Sequence, residues 1–205
     1  MIDIASQLEA IHREVGKRPA DDNEVVAVLL RRTYPAQIDD VWDAITDPDR
    51  VKRWFLPLSG DLRPGGSFQL EGNASGDILE CDPPGLLRVT FGGPTSLVEL
   101  RLTPDGDNAT VLELEHSVPI EMAGSGAGAL YVGPGWDGAL LALGLFLSGE
   151  VAEDPVAAAT SPEGLEFSKR SVETWIGVVE ASGTANTEEI SAATEMALAQ
   201  FAPEG

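Results

Sequence analysis

Apolar residues among the first sixteen positions fall at Ile4, Leu8, Ile11 and Val15, a spacing that predicts an amphipathic helix ending at Gly16. Residues 17–24 carry proline and charge without a period and read as a linker. Val25 to Tyr34 is nearly continuous in β-formers and predicts a strand covered on both sides over part of its length, with Pro35 ending it. Asp39 to Thr46 has helical spacing. Asp47-Pro48 then opens a second short helix, with Asp47 as N-cap and proline in the first turn, closing on Trp54-Phe55 before Pro57.

From Gly60 to Pro119 the texture changes to short runs separated by turn chemistry: Arg63-Pro64-Gly65-Gly66, Gly72-Asn73, Asp82-Pro83-Pro84-Gly85, Gly92-Gly93-Pro94 and Pro104-Asp105-Gly106-Asp107. Five strands are predicted between them, at 67–72, 76–82, 86–91, 96–103 and 109–118, and the short connections make neighbours antiparallel. The last strand alternates. Leu112, Leu114, His116 and Val118 share one face, and Glu113, Glu115 and Ser117 the other. Glu99 and Arg101 alternate on the neighbouring strand, as a sheet with one wet face requires.

A glycine-rich loop at 123–128 precedes an apolar stretch from Ala129 to Leu147, interrupted by Gly133-Pro134-Gly135. Trp136, Leu140, Leu143 and Leu147 then recur on one helical face. Past a linker at 154–162, one helix carries Leu165, Val172, Trp175, Ile176 and Val179 and ends at Gly183. The last starts after Thr187 as N-cap, with the stripe Ile190, Ala197, Leu198 and Phe201. The stripes at 4–15, 165–179 and 190–201 exceed what one sheet-and-helix core needs. They either wrap their own domain or pack across a two-fold axis in a homodimer. The element order predicts an α+β chain whose curved, six- to seven-stranded antiparallel sheet wraps one long helix, with a cleft between them.

Composition narrows the partners. The 205 residues are 43% hydrophobic and 23% charged, enough for one domain with appendages. Asp and Glu number 34 against 13 Lys and Arg, and the net charge of −21 repels a phosphate backbone, so no nucleic-acid partner is expected. From Glu150 onward eleven acids face two bases, which reads as a solubilising surface. The single cysteine, Cys81, excludes an internal disulfide framework and a multi-cysteine zinc site, and the cytosol is the expected compartment. Neither a signal peptide nor an apolar run of the roughly 18 residues that span a bilayer is read in the chain, so no membrane partner is expected. No metal or cofactor is expected either.

Several separated motifs, in order, resemble one family. They are Arg32-x-x-x-Ala36, Val41-Trp42, Thr46-Asp47-Pro48, Trp54-Phe55 with Pro57, Asp61-Leu62-Arg63-Pro64-Gly65-Gly66-x-Phe68, Gly76-x-Ile78-x-Glu80-x-Asp82-Pro83-Pro84, and Gly135-Trp136. The series is similar to the activator of heat-shock-protein-90 ATPase (Aha) homologue family, of the SRPBCC superfamily that includes START and birch-pollen-allergen proteins, across about residues 24–149. The resemblance implies a helix-grip fold, and members that are ligand carriers, polyketide cyclase-like enzymes and chaperone activators. It divides the chain into an N-terminal helix and linker (1–23), a helix-grip domain (24–150) and an acidic helical extension (151–205).

Candidate chemistry centres on His116, which alternation turns to the face of Leu112 and Leu114. There a neutral imidazole orients a ligand or acts as general base; the bland alternative is a satisfied core histidine. Arg32 and Glu80 are candidate polar partners, although the direction of Glu80 is ambiguous because Ile78 and Leu79 are both apolar. Trp54, Phe68, Phe91 and Trp136 are candidate stacking surfaces, with Leu112, Leu114, Leu140 and Leu143 as apolar lining. Core packing is the competing role for these rings. Asp137 suits the first turn of the long helix. Gly124 to Ala129 formally fits a dinucleotide fingerprint, but follows an antiparallel meander rather than a parallel strand, and reads instead as a mobile flap. The expected function is binding of a small apolar or aromatic molecule between sheet and helix. The alternatives are a cyclase or hydrolase with His116 as acid/base, which needs a second polar group within reach of His116, and a chaperone-activator-like interaction protein.

Overall fold

Alternating burial, rather than apolar content alone, marks two adjacent strands of the sheet. In the computed structural model, which describes residues 2–20 and 23–203, β8 (Thr110–Pro119) buries Thr110, Leu112, Leu114 and His116 on one face. The alternation breaks at Ser117, which is itself buried. β2 (Asn23–Tyr34) buries Val26, Val28, Leu30, Arg32 and Tyr34 in the same manner. Before it lies β1 (His12–Ala20), and between β2 and β8 in the chain fall β3 (Leu58–Gly60), β4 (Ser67–Leu70), β5 (Ser75–Asp82), β6 (Leu86–Thr90) and β7 (Leu97–Pro104). The eight strands run in the order β1-β2-β8-β7-β6-β5-β4-β3. The pairs β3–β4, β4–β5, β5–β6 and β6–β7 are antiparallel. The fold is α+β and helix-grip, as the motifs implied, with eight strands among the described residues in place of six or seven.

The additional strands come from the ends of the expected helix–strand pattern. The N-terminal helix α1 (Ile4–Glu9) stops after six residues, its Asp3 side chain accepting from Ser6 N. Residues 12–20, expected as helix end and linker, are strand instead. Ile4, Leu8, Ile11 and Val15 satisfy a helical period by count, but Ile4 and Leu8 lie in the helix and Val15 in the strand, so one period spans two elements.

Two compact units emerge from the contacts. One combines the residues up to Leu30, Ser117–Leu140 and those from Ala157 onward; the other combines Arg31–His116 and Leu141–Val156. The second unit holds most of the meander, with α2 (Ile38–Thr46) and α3 (Pro48–Val51) after β2. Asp47 caps α3 by accepting from Asp49 N at 2.8 Å, as its Asp-Pro sequence predicts. The guanidiniums of Arg50 and Arg53 lie 5.3 and 5.1 Å from the Phe146 ring, which ties α3 to the C-terminal half of α5 (Gly133–Leu147). On the outer face Glu80 stands opposite Arg88, and Glu99 pairs with Arg101 at 2.7 Å. These are wet-face contacts that add little stability.

The first unit packs its helices on one another. After α4 (Ile120–Ala123) and a 3₁₀ segment at Gly126–Tyr131 come α5, the short α6 (Pro155–Ala159), α7 (Pro162–Ser182) and α8 (Thr187–Phe201). α7 ends on Gly183 in the left-handed conformation, φ 65°, which glycine adopts without a Cβ clash. α8 is capped one residue earlier than expected, by Asn186 in a capping box with Glu189. Within this unit Phe167, Val172, Trp175 and Val179 of α7 and Ile190, Ala193 and Ala197 of α8 are buried. Part of each stripe that raised a two-fold interface is thus buried within the unit, while Ile4, Val15, Leu165, Ile176, Leu198 and Phe201 are half-buried. Contrary to the sequence expectation, Gly126–Leu147 passes the length and composition test for a membrane-crossing helix, with a mean hydropathy of 1.4. Half of that window is buried in the protein.

Candidate functional site

The second unit builds a polar spot on the buried face of its sheet from a hairpin and the end of a strand. Between β6 and β7 the chain turns through Gly92, φ 75°, with Phe91 N donating to Ser96 O at 2.8 Å and Ser96 N to Gly93 O at 3.3 Å. This places the Ser96 hydroxyl 2.8 Å from His116 Nε2, with both side chains buried. Phe91 meets the imidazole edge-on, ring centroids 5.9 Å apart and planes at 69°, and Phe68 stacks on Phe91 at 6.2 Å and 30°. Gly76 holds β5 against this hairpin, since a Cβ there would lie 1.8 Å from the Thr90 carbonyl oxygen. Burial pulls the His116 pKa down from 6.5 to about 4, so the ring is neutral at physiological pH.

His116, Phe91 and Phe68 were anticipated together, and Leu112 and Leu114 are buried beside His116 on β8 as alternation required. Ser96 was not anticipated as a site residue; it stands at the first position of the strand expected at 96–103, two residues after Pro94. It is the second polar group that an acid/base role for His116 demanded. Arg32 is buried, but its guanidinium lies 5.3 Å from the Tyr34 ring. Gly144 of α5 leaves room for it: a Cβ there would come 2.9 Å from Arg32 Nη2. Burial raises the Tyr34 phenol well above its ordinary value, against the opposing pull of Arg32, so it stays protonated. Glu80 is exposed, because the ladder is irregular between Ile78 and Glu80 and turns both Leu79 and Glu80 outward. It joins neither His116 nor Arg32. Trp54 is half-buried, donates from Nε1 to Ala44 O at 2.9 Å and stacks on Phe55. Leu143 is buried in this unit, whereas Trp136 and Leu140 belong to the other. Among the described residues no cluster of His, Cys, Asp and Glu has the geometry to hold a metal.

The first unit contains a polar centre that the sequence did not reveal. Asp137, expected merely to complement the dipole of α5, is fully buried and accepts from Arg13 Nε at 3.0 Å through both carboxylate oxygens. Its Oδ2 also accepts from Ser171 Oγ at 2.5 Å and Trp175 Nε1 at 3.1 Å, and Arg13 Nη1 donates to the carbonyls of Leu8 and Ile11. Burial pushes the Asp137 carboxyl up, while the Arg13 charge and the donors from Ser171, Arg13 and Trp175 pull it back. All these groups donate, so they stabilise the ionised form.

The glycine-rich segment is not a flap. Gly126, Ala127, Ala129 and Leu130 are buried, and a Cβ on Gly126 would fall 1.7 Å from Thr184 Oγ1. Gly126 N donates to Thr184 O, and a Cβ on Gly133 would strike the Trp175 ring at 2.4 Å. These glycines serve close packing against α7 and the turn that follows it.

Residues 35–144 match the family described as activator of Hsp90 ATPase homolog 1-like protein. Among solved structures the chain is similar to CalU16 from Micromonospora echinospora, at 42% identity and a TM-score of 0.69 over 83% of this chain and 98% of that one. It is similar to DynU16, a protein in the dynemicin biosynthetic locus, at 28% identity and a TM-score of 0.52 over 63% of this chain and 48% of that one. Protein EF2215 from Enterococcus faecalis shares the fold at 17% identity, with a TM-score of 0.59 over 85% of this chain and 95% of that one. No curated protein matches the chain.

Proposed function

The chain belongs to the activator of Hsp90 ATPase homolog 1-like family, and from that premise we propose that it binds a small apolar or aromatic molecule on the buried face of its sheet. The observation that carries this reading is the neutral Ser96–His116 pair, with Phe91 edge-on to the imidazole and Leu112 and Leu114 buried on the same face of β8. A few convergent polar groups in apolar surroundings are what a small-molecule site requires. The similarity to DynU16, whose locus is biosynthetic, agrees with a small organic molecule as partner.

Ser96 also gives the cyclase or hydrolase reading its second polar group. Proton affinity opposes that reading. An imidazole whose pKa is about 4 instead of 6.5 makes proton uptake harder by about 3 kcal/mol, which favours hydrogen bonding to a ligand over abstraction of its proton. Native mass spectrometry of freshly purified protein, followed by organic extraction and thermal-shift screening of apolar and aromatic compounds, tests the proposal. A stoichiometric adduct or saturable stabilisation is expected. A clean mass together with no stabilisation across the screen would overturn it.

A further inference from the structure

Building on the ligand-binding reading, we propose that Ser96 and His116 act as a charge-neutral recognition pair that selects an aromatic ligand bearing a hydroxyl or carbonyl group and rejects the matching carboxylate. His116 is the last inward position of the alternating face of β8, after Thr110, Leu112 and Leu114, where an apolar residue would complete the core. An imidazole and a hydroxyl at this place carry a desolvation cost that apolar side chains would not.

Their mutual contact does not exhaust Ser96. A serine hydroxyl carries one donor and two acceptor sites, and the hydrogen bond at 2.8 Å uses one of them. If His116 Nε2 is the acceptor, Ser96 donates to it and keeps lone pairs for a ligand hydroxyl. If Nε2 carries the proton, Ser96 accepts and its own proton is left for a ligand carbonyl. Either tautomer therefore serves a neutral polar group. Neither supplies a positive charge, so a carboxylate brought here would be buried against a neutral hydroxyl and imidazole. Phe91, half-buried and edge-on to the imidazole, offers its ring as the apolar wall beside the pair.

The test uses four probes on one skeleton: 2-naphthol, 2-acetylnaphthalene, naphthalene and 2-naphthoate. Each is titrated into the 205-residue protein at neutral pH, and into Ser96→Ala and His116→Gln. The naphthol and the ketone are expected to bind about tenfold more tightly than naphthalene, and the naphthoate at least about tenfold more weakly than the naphthol. Ser96→Ala is expected to remove the advantage of the naphthol, bringing its affinity down to about that of naphthalene. His116→Gln, whose amide both donates and accepts, is expected to retain it. In the wild-type protein the His116 ring-proton resonances are expected to move with 2-naphthol, independently of how either variant folds. An unchanged naphthol-to-naphthalene ratio in Ser96→Ala, or a naphthoate that binds as well as the naphthol, would overturn the recognition pair alone. Failure of all four probes to bind would overturn the ligand-binding reading with it.

Discussion

His116 makes the stability of this protein depend on pH in a direction opposite to that of its carboxylate surface. Burial lowers the folded-state pKa to about 4, while the unfolded chain titrates at 6.5. Between those values the unfolded state binds the proton and the folded state does not, so stability rises with pH across the window and is lost as pH falls through it. Integrating the two titrations gives a loss of about 2 kcal/mol between pH 7.5 and pH 5, and about 3 kcal/mol by pH 4. For a chain of this length that loss lowers the melting temperature by roughly 4–8 °C at pH 5. Acidification meanwhile relieves repulsion in a chain of net charge −21, so the absolute curve mixes both effects. The decisive quantity is the difference between the wild type and His116→Gln, measured by urea unfolding at pH 7.5 and pH 5. The wild type is expected to lose about 2 kcal/mol more than the variant, and NMR titration is expected to place the His116 ring near 4. Equal losses in the two proteins would show that the imidazole is not desolvated, and the argument for a neutral recognition pair would lose its electrostatic half.

Three further outcomes follow from the other unit and from the ring at Trp54. Asp137→Ala strands the buried Arg13 guanidinium and is expected to destabilise by about 3–5 kcal/mol, whereas Arg13→Met combined with Asp137→Leu should cost clearly less than Asp137→Ala alone; additive losses in thermal unfolding would refute the coupling. Gly126→Ala drives a Cβ into Thr184, at 1.7 Å from Oγ1, and is expected to cost about 1–3 kcal/mol. Thr184→Ala should recover part of that loss, and a neutral Gly126→Ala would instead restore the flap. Trp54→Phe forfeits the hydrogen bond to Ala44 O and is expected to cost about 1 kcal/mol with the stack on Phe55 retained, as read from denaturant midpoints.

Periodicity reports which face a residue occupies, not what it meets there, and this distinction separates what could be read in the chain from what could not. The meander was legible because each of its strands has a wet face, so the turns and alternation at 67–119 locate β4 to β8 within one or two residues at most ends. His116 was legible for the same reason. Its partner was not: Ser96 lies twenty residues earlier at the mouth of a turn, where glycine, proline and serine ordinarily signal solvent. β1 was lost because Arg13, an inward position of a strand, looks like the polar side of a helix until its carboxylate is known. That carboxylate is 124 residues away, and Ser171 and Trp175 reach it from 34 and 38 residues further on. A buried ion pair breaks the apolar stripe of every element it joins, so each element looks weaker in sequence than it is in the fold. The same reasoning explains the glycines at 126 and 133, which read as freedom to move but are required by a threonine and a tryptophan brought against them. In both units the residues hardest to read are polar or small groups on buried faces. Ser96 and Asp137 are the two whose partners give them roles: the first faces an imidazole that keeps its neighbourhood neutral, the second a guanidinium that keeps its own charge compensated. The binding proposal rests on the neutral pair, at the β6–β7 turn and on β8, because the centre at the start of α5 is an ion pair whose charges are matched to each other.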